Sequence, residues 1–131
     1  MPAAYAHYRF GKDVINCLPL TYRKLVTENQ ALFDIGLHGP DILFYHRPLS
    51  HDPVNRLGYE MHERPAAEFF QRAAELYRAS EPSDSLRAYL YGFICHFALD
   101  STCHPYVKKM EHDSGLSHAE IETELERHFM L

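Results

Sequence analysis

Apolar residues recur at three- and four-residue spacings along most of the chain, which is the periodicity of an amphipathic α-helix. Two early segments, Phe10 to Cys17 and Thr21 to Leu37, follow this pattern and are separated by Pro19. Gly39 and Pro40 end the second segment. No stretch of the sequence alternates in the manner of a β-strand, so the pattern predicts an all-α fold.

A long loop and a third helix follow. Residues 40–58 hold three prolines and the polar run Ser50–Asp52, so the segment is predicted to be a loop, and loops of this length are usually functional or mobile. Pro65 then opens a helix as a first-turn proline that ends near Ser80. The buried stripe expected for this helix consists of Ala66, Phe69, Phe70, Ala73, Leu76 and Tyr77.

Two helices complete the pattern. The first begins at Ser83 or Asp84, either of which can cap it, and ends near Cys103 because Pro105 disfavours helical geometry at the residue before it. The run Ser117–Glu120 has a capping-box pattern that opens the last helix. The buried residues expected on the first of these helices are Leu86, Leu90, Phe93, Ile94 and Phe97.

Length and composition narrow the class of protein. With 131 residues the chain is expected to form one helical domain over 1–131, and its net charge of −5 disfavours nucleic acid as a partner. Cys17, Cys95 and Cys103 lack Cys-x-x-Cys spacing and fit free thiols in a reducing compartment. The N-terminus lacks a secretion signal and the run Tyr89–Leu99 is too short to span a bilayer, so a cytoplasmic protein without a transmembrane segment is expected.

The ten histidines are the compositional outlier, and two of them precede a carboxylate by four residues. His96 and Asp100 form one such pair and His118 and Glu122 the other, so each pair lies on one face of a predicted helix. A lone buried histidine is more often a hydrogen-bonded core residue than a ligand. Asp100, however, lies on the most apolar helix, where an unpaired carboxylate costs on the order of several kcal/mol. Either a divalent cation or an arginine brought close by tertiary packing is expected to meet it.

Five short motifs follow one another between His7 and Glu122. They are Ala6-His7-Tyr-Arg-Phe-Gly11, Gly39-Pro40-Asp41, Gly58-Tyr-Glu-Met-His62-Glu, the stretch from Gly92 through His96 and Asp100 to His104-Pro105, and His118-x-x-x-Glu122. In this order they resemble the zinc-dependent phospholipase C family, which shares its fold with the S1/P1-type nucleases. Each motif alone is weak, and their combination is specific. The resemblance implies a multi-helical bundle of that type, expected to be incomplete because relatives are longer than this chain.

The resemblance also implies a cluster of zinc ions. One zinc would take Asp41, His62, His96 and Asp100; a second would take His104, His118 and Glu122; and a third would take His7 with the other oxygen of Asp100. In secreted relatives the third ion also uses the backbone of an N-terminal tryptophan, whereas this chain has no tryptophan and would begin at Pro2 after loss of Met1. Two zinc ions are therefore expected, and the third stays open.

The activity implied is that of a metal-dependent phosphoric-ester hydrolase, in which a metal-bridged hydroxide attacks a phosphodiester between glycerol and phosphate. Asp41 is the candidate catalytic residue, because it can orient or deprotonate the attacking water. Nitrogen and oxygen ligands without thiolate are typical of catalytic zinc sites. The expected substrate is a small phosphoester or a phospholipid, and a second copy of the chain is expected to cover apolar surface left by missing helices.

Three alternatives remain open. His46 or His51 competes with His62 as the ligand from the middle of the chain. The dyad His51-Asp52 suggests an HD-type phosphohydrolase as an alternative enzyme, although in that class the dyad lies on a helix, whereas here Pro53 follows it. The last alternative is a non-catalytic helical metal-binding or interaction module, in which the cluster is structural or empty.

Overall fold

Helices account for most of the protein. A computed structural model describes residues 4–131, and within that range the chain forms seven α-helices and one 3-10 helix, without a strand. They are α1 (Ala4–Cys17), α2 (Leu20–Glu28), α3 (Gln30–Leu37), the 3-10 helix (Gly39–Tyr45), α4 (Pro53–Glu63), α5 (Ala66–Ala79), α6 (Asp84–Ser114) and α7 (His118–Met130). The prediction of an all-α fold is confirmed. Between residues 4 and 131, none of the helices combines the length and the apolar character needed to cross a lipid bilayer.

The prediction of a single helix over Thr21–Leu37 is wrong, because the helix is interrupted at Asn29. This residue has φ −125° and ψ 37°, outside the helical region. Its side-chain amide donates to the carbonyl of Leu25 at 2.9 Å, and its side-chain oxygen accepts a hydrogen bond from Ser85 at 2.9 Å. Asparagine competes in this way with backbone hydrogen bonding. The break lets α3 turn toward α6 independently of α2.

The long loop predicted for residues 40–58 is also shorter than expected. The 3-10 helix occupies its start, and α4 begins at Pro53. The Asp52 carboxylate accepts hydrogen bonds from the N–H groups of Val54 and Asn55, both at 3.0 Å, and so caps α4. Proline at the first position after a capping aspartate is a standard helix start. The ordered part of the segment places Asp41 and His62 on defined elements.

Helix α6 does not end near Cys103, as predicted from Pro105, but runs through that proline to Ser114. The hydroxyls of Ser101 and Thr102 donate to the carbonyl of Ala98 at 3.2 and 2.8 Å in the turn before the proline. Val107 beyond it is buried, with 1% of its surface exposed. Burial of Asp100 before Pro105 and of Val107 after it therefore outweighs the local preference, and His104 keeps its helical register.

The core is built around a close contact between α3 and α6. An added Cβ at Gly92 would lie 2.2 Å from the carbonyl oxygen of Phe33, and one at Gly36 would lie 2.1 Å from the carbonyl oxygen of Tyr89. Both glycines thus allow backbone-to-backbone packing that a side chain would prevent. The buried core around this contact consists of Ile15, Val26, Phe33, Leu37, Ala88 and Cys95. The contact brings the C-terminal end of α3 against the middle of α6.

Helix α5 packs less tightly than its apolar stripe predicts. None of its residues is buried, and Leu76 is 54% exposed. On α6, Ile94 and Phe97 are 46% and 43% exposed, so their predicted burial is wrong as well. Phe69 of α5 still stacks on Phe93 of α6, with ring centroids 4.2 Å apart. Phe69 and Phe70 of α5 and Phe93 and Phe97 of α6 therefore line a cavity, whereas Leu76 and Ile94 lie on the exposed surface.

Candidate metal centre

Helix α6 carries three of the predicted ligands on one face. His96, Asp100 and His104 are spaced one turn apart, so their side chains project in the same direction. His96 is 2% exposed and Asp100 is 7% exposed, whereas His104 is partly accessible. Two strongly polar side chains are thus buried in the middle of an apolar helix.

The orientation of His96 is fixed by the end of α3. Its Nδ1 donates a hydrogen bond to the carbonyl of Leu37 at 2.9 Å. Gly39 has a φ of +52°, and an added Cβ there would lie 2.4 Å from the imidazole ring of His96. Position 39 therefore requires glycine, because a side chain would disfavour the positive φ and would collide with His96. Because Nδ1 carries the proton, Nε2 of the neutral ring presents its lone pair to the interior of the site.

Asp41 of the 3-10 helix and His62 of α4 approach the same interior position as Nε2 of His96. His62 donates Nδ1–H to the carbonyl of Gly58 at 2.7 Å, and its Nε2 lies 2.7 Å from Oδ1 of Asp41. The hydrogen bond with Asp41 raises the pKa of His62 more than burial lowers it. Oδ1 of Asp41 also lies 3.9 Å from Nε2 of His96. The 3-10 helix and α4 therefore each add one donor to those of α6.

His7 completes this group from α1. Its ring stacks on His96 with centroids 3.9 Å apart, and its Nε2 lies 3.2 Å from Oδ1 of Asp100. The other oxygen of Asp100 lies 3.1 Å from Nε2 of His96. We call the five converging residues the inner cluster: His7, Asp41, His62, His96 and Asp100.

The inner cluster has the features of a metal site. Four of its buried polar atoms, both ring nitrogens of His7, Nε2 of His96 and Oδ1 of Asp100, make no hydrogen bond of good geometry within the part of the chain that the structure describes, although the Nε2 atoms of His7 and His96 lie 3.2 and 3.1 Å from oxygens of Asp100. Two groups of three side chains each have donor atoms within 4.8 Å of one another. The first group is His7, Asp41 and His96, and the second is His62, His96 and Asp100. Two ligands on one tetrahedral zinc are roughly 3.3 Å apart, given metal–nitrogen distances of about 2.0 Å. The residues present therefore fit a zinc ion.

Charge balance in the inner cluster depends on histidine. Burial raises the pKa of Asp100, but the imidazoles of His7 and His96 outweigh it and the net shift is downward. Burial lowers the pKa of His96, and the carboxylates of Asp100 and Asp41 reverse that shift. Among residues 4–131, no arginine or lysine forms an ion pair with either carboxylate. The arginine considered from the sequence does not reach Asp100 among the described residues; the imidazoles of His7 and His96 are its neighbours instead.

The other predicted ligands form a second group, the outer cluster of His104, His118 and Glu122. Nε2 of His118 lies 2.7 Å from Oε1 of Glu122, and its Nδ1 lies 3.7 Å from Glu111 of α6. The rings of His104 and His118 have centroids 6.1 Å apart. Burial lowers the pKa of His104. The outer cluster lies next to the inner cluster, since His104 follows Asp100 by one helical turn, but within residues 4–131 its donor atoms do not all lie within 4.8 Å of one another as those of the two inner groups do.

The competing ligand positions lie elsewhere. Nε2 of His46 lies 3.3 Å from Oδ2 of Asp52, and His51 is exposed just before α4. The dyad His51-Asp52 is not on a helix, because Asp52 is used as the cap of α4. This geometry argues against the HD-type alternative. The N-terminal residues on which the third zinc depends, 1–3, lie outside the described residues.

A cavity of about 620 Å³ opens beside both clusters. Its wall includes His62, His96, Asp100 and His104 together with an apolar surface from three helices: Leu57 and Met61 of α4, Phe69 and Phe70 of α5, and Phe93 and Phe97 of α6. Leu57, Met61 and Arg64, another wall residue, are not predicted from the sequence as part of the site. The four-residue apolar spacing of Leu57 and Met61 on α4 is the signal that could have found those two, whereas Arg64 caps the end of the helix and carries no such signal.

Comparison with known proteins bears on the identity of the chain. No curated protein and no solved structure matches it. The family model described as zinc dependent phospholipase C matches residues 6–130, a range that includes every candidate ligand from His7 to Glu122. The resemblance noted from the motifs is confirmed, and the chain belongs to the zinc-dependent phospholipase C family.

Proposed function

We propose that this protein is a zinc-dependent phosphoric-ester hydrolase that acts on a phospholipid and cleaves the bond between glycerol and phosphate. Family membership supports the reaction class. The observation that carries the proposal is the orientation of His62 and His96, which both donate Nδ1–H to a backbone carbonyl. Their Nε2 lone pairs consequently face carboxylate oxygens, an arrangement that needs a proton or a metal ion between the two atoms.

A metal ion is favoured over protons because three imidazoles share the inner cluster. Protonating adjacent buried rings places like charges next to one another, and each ring then opposes the charge on the next. One divalent ion instead balances both carboxylates and uses the lone pairs directly. We assign one zinc to the inner cluster and a second to His104, His118 and Glu122.

The chemistry that zinc supplies in such sites is Lewis acidity toward phosphoryl oxygens and a coordinated water that ionises near neutral pH. The protein's own residues supply orientation and a proton acceptor. The carbonyls of Leu37 and Gly58 hold two imidazole rings in place. Asp41, which the 3-10 helix holds 2.7 Å from His62 of the cavity wall, is proposed to orient the attacking water and accept its proton.

The cavity supports a substrate with an apolar portion. Its volume of about 620 Å³ lies within the range of pockets that bind small molecules. Phe69, Phe93 and Phe97 line it within reach of His96 and Asp100, so a phosphate group at the clusters would leave the glycerol side of the molecule against the aromatic wall. The same apolar surface would hold the bound ester in one orientation relative to the clusters, which is how positioning contributes to catalysis.

The test compares two isosteric substitutions on α6 in protein loaded with zinc. Asp100→Asn keeps the shape of a side chain between His7 and His96 and removes its charge, whereas Asp113→Asn removes the same charge at an exposed position. Hydrolysis of a short-chain phosphatidylcholine should fall by at least about a hundredfold in Asp100→Asn, the lower end of what positioned catalytic groups contribute. Asp113→Asn should retain wild-type activity and zinc content.

Three results would overturn the proposal in different ways. Less than one zinc per chain, with no uptake on adding zinc, would make the protein a plain helical module. Full zinc content without any hydrolysis would make it a binding module. Equal activity of Asp100→Asn and wild type would place the reaction away from the inner cluster.

A further inference from the structure

Large apolar side chains are exposed along one segment near the cavity, residues 42–59, which we call the rim segment. Leu49 is fully exposed, and more than a third of the surface of each of the other four is accessible: Ile42, Tyr45, Leu57 and Tyr59. Single exposed apolar residues are ordinary, but five on one short segment, with Leu49 exposed in full, point to an interaction surface. The rim segment is therefore a candidate surface for binding a partner.

The rim segment lies next to the proposed site. It begins directly after Asp41 on the 3-10 helix and ends in α4 before His62, so it connects two elements that carry inner-cluster residues. Leu57 is both exposed at the surface and part of the cavity wall. A partner that covers the rim segment is thus continuous with the cavity.

The tip of the rim segment is held in a defined conformation. The N–H of Ser50 donates to the carbonyl of Arg47 at 2.8 Å, which closes a turn with Pro48 and Leu49 at its centre. The Asn55 side chain is buried and donates to the carbonyls of Leu43 and His46 at 3.2 and 2.8 Å. Leu49 therefore projects from an anchored loop, and presenting it to a partner needs little reordering of the chain.

The charge of the rim segment differs from that of the whole chain, whose net charge is −5. The basic residues Arg47 and Arg56 are both exposed. The acidic residue Asp52 uses its carboxylate to cap α4 and has a side chain only 16% exposed. An apolar tip flanked by arginines is the combination found on proteins that bind anionic lipid surfaces.

We propose that the rim segment docks this protein on the surface of an anionic phospholipid bilayer, with Leu49 inserted below the head groups and Arg47 and Arg56 against the phosphates. The inference rests on the proposed function, since a lipid substrate lies in such a surface. Docking at this point faces the cavity toward the head-group layer. A lipid leaving the bilayer can then reach the clusters along the apolar wall that begins at Leu57.

The absence of tryptophan from the chain makes a direct test of docking possible. Leu49→Trp introduces a single reporter at the tip of the rim segment, and Leu20→Trp introduces the same reporter at a residue of α2 that is 78% exposed and outside the cavity wall. Both zinc-loaded variants are titrated with vesicles of phosphatidylcholine containing phosphatidylglycerol. Tryptophan emission should shift to shorter wavelength for Leu49→Trp alone, because the indole enters the interface.

The contribution of the rim-segment arginines to vesicle binding is tested in protein that also carries Leu49→Trp. Removing one exposed cation of the rim segment, by Arg47→Gln or Arg56→Gln, should weaken vesicle binding roughly fivefold, in line with the attraction of one basic residue to an anionic surface. Lys24→Gln removes the same charge from α2 and should leave binding unchanged. Raising the salt concentration should weaken binding of the Leu49→Trp protein in the same direction.

These readings do not require catalysis, so docking and hydrolysis can fail separately. An unshifted spectrum for Leu49→Trp at the highest lipid concentration would overturn the inference even in an active enzyme. Equal shifts for Leu49→Trp and Leu20→Trp would mean non-specific adsorption. A shift that appears without vesicles and grows with protein concentration would mean that a second copy of the chain covers the rim segment instead.

Discussion

The inner and outer clusters use similar residue types but differ in how the protein holds them. The inner cluster draws its side chains from α1, the 3-10 helix, α4 and α6, and backbone carbonyls orient two of its imidazoles. The outer cluster draws its side chains from α6 and α7 alone, and His118 is 37% exposed. The inner donors are thus fixed by contacts between distant parts of the chain, whereas the outer donors depend on one pair of helices.

This difference predicts two classes of metal affinity. A site whose ligands are oriented by the fold loses little conformational freedom when an ion binds, whereas a more accessible site must be ordered by the ion itself. The close contact of Gly36 and Gly92 supplies that order for the inner cluster, because it fixes the Leu37 carbonyl against His96. We therefore expect one tightly bound zinc and one that exchanges more readily.

The largest expected effect separates His62 from His51, its rival in the sequence. His62→Ala removes a donor that lies 2.7 Å from Asp41, whereas His51→Ala removes an exposed imidazole before α4. Even changes outside the ligand shell reduce metal affinity roughly ten- to a hundredfold, so loss of a direct ligand should reach at least that range. Zinc dissociation constants measured by chelator competition report the difference.

The same measurement can break the assignment. A large loss of affinity in His51→Ala with none in His62→Ala would restore the histidine–aspartate dyad as the metal site. Unchanged affinity in both variants would turn attention to His46, which lies 3.3 Å from Asp52. Loss of both zinc ions at once in His62→Ala would show that the two clusters form one unit rather than two sites.

A substitution far from the ligands tests whether the glycine contact orders the inner cluster. Gly92→Ala gains about 1 kcal/mol of helix propensity but places a Cβ 2.2 Å from the backbone oxygen of Phe33. Overpacking costs about 1–3 kcal/mol, and the upper part of that range applies because backbone cannot move aside as a side chain can. We expect a net loss of about 1–2 kcal/mol in unfolding free energy, together with weaker binding of the tight zinc only.

Urea unfolding and zinc competition on Gly92→Ala measure both effects. Lys109→Ala, at an exposed position of the same helix away from the cavity, serves as the control and should change neither. A stabilised Gly92→Ala protein would show that helix propensity outweighs the contact and that α3 and α6 can separate. Equal weakening of both zinc ions would show that the outer cluster depends on the same contact.

Local sequence patterns predict the elements but not their junctions. The apolar periodicity predicts the helices around residues 10–17, 66–79 and 118–130 correctly in type and approximate position. It fails at Asn29, whose side-chain oxygen accepts a hydrogen bond from Ser85 of α6, and at Pro105, where burial of Val107 maintains the helix. Both failures arise because contacts between distant segments decide a local conformation.

The same limit applies to the site. Four-residue spacing places His96 with Asp100 and His118 with Glu122, because both members of each pair lie on one helix. It does not predict that His7 stacks on His96, since that contact needs the packing of α1 against α6. The apolar wall of the cavity cannot be predicted from the sequence either. The apolar stripes on α5 and α6 have the same pattern as a buried core, and only the structure shows that these faces are partly exposed.

The smallest expected effect concerns the outer cluster. Glu122→Gln keeps the length of a side chain whose oxygen lies 2.7 Å from His118 but removes its charge, so the zinc assigned there should bind roughly tenfold more weakly. Glu124→Gln is the matched control, because Glu124 lies on the same helix and pairs with Arg127 at the surface. Competition with a weak chelator should show a change in the readily exchanged zinc of Glu122→Gln and none in the tight one. An unchanged profile would leave the outer cluster without an ion, and hydrolysis would then rest on the inner cluster alone.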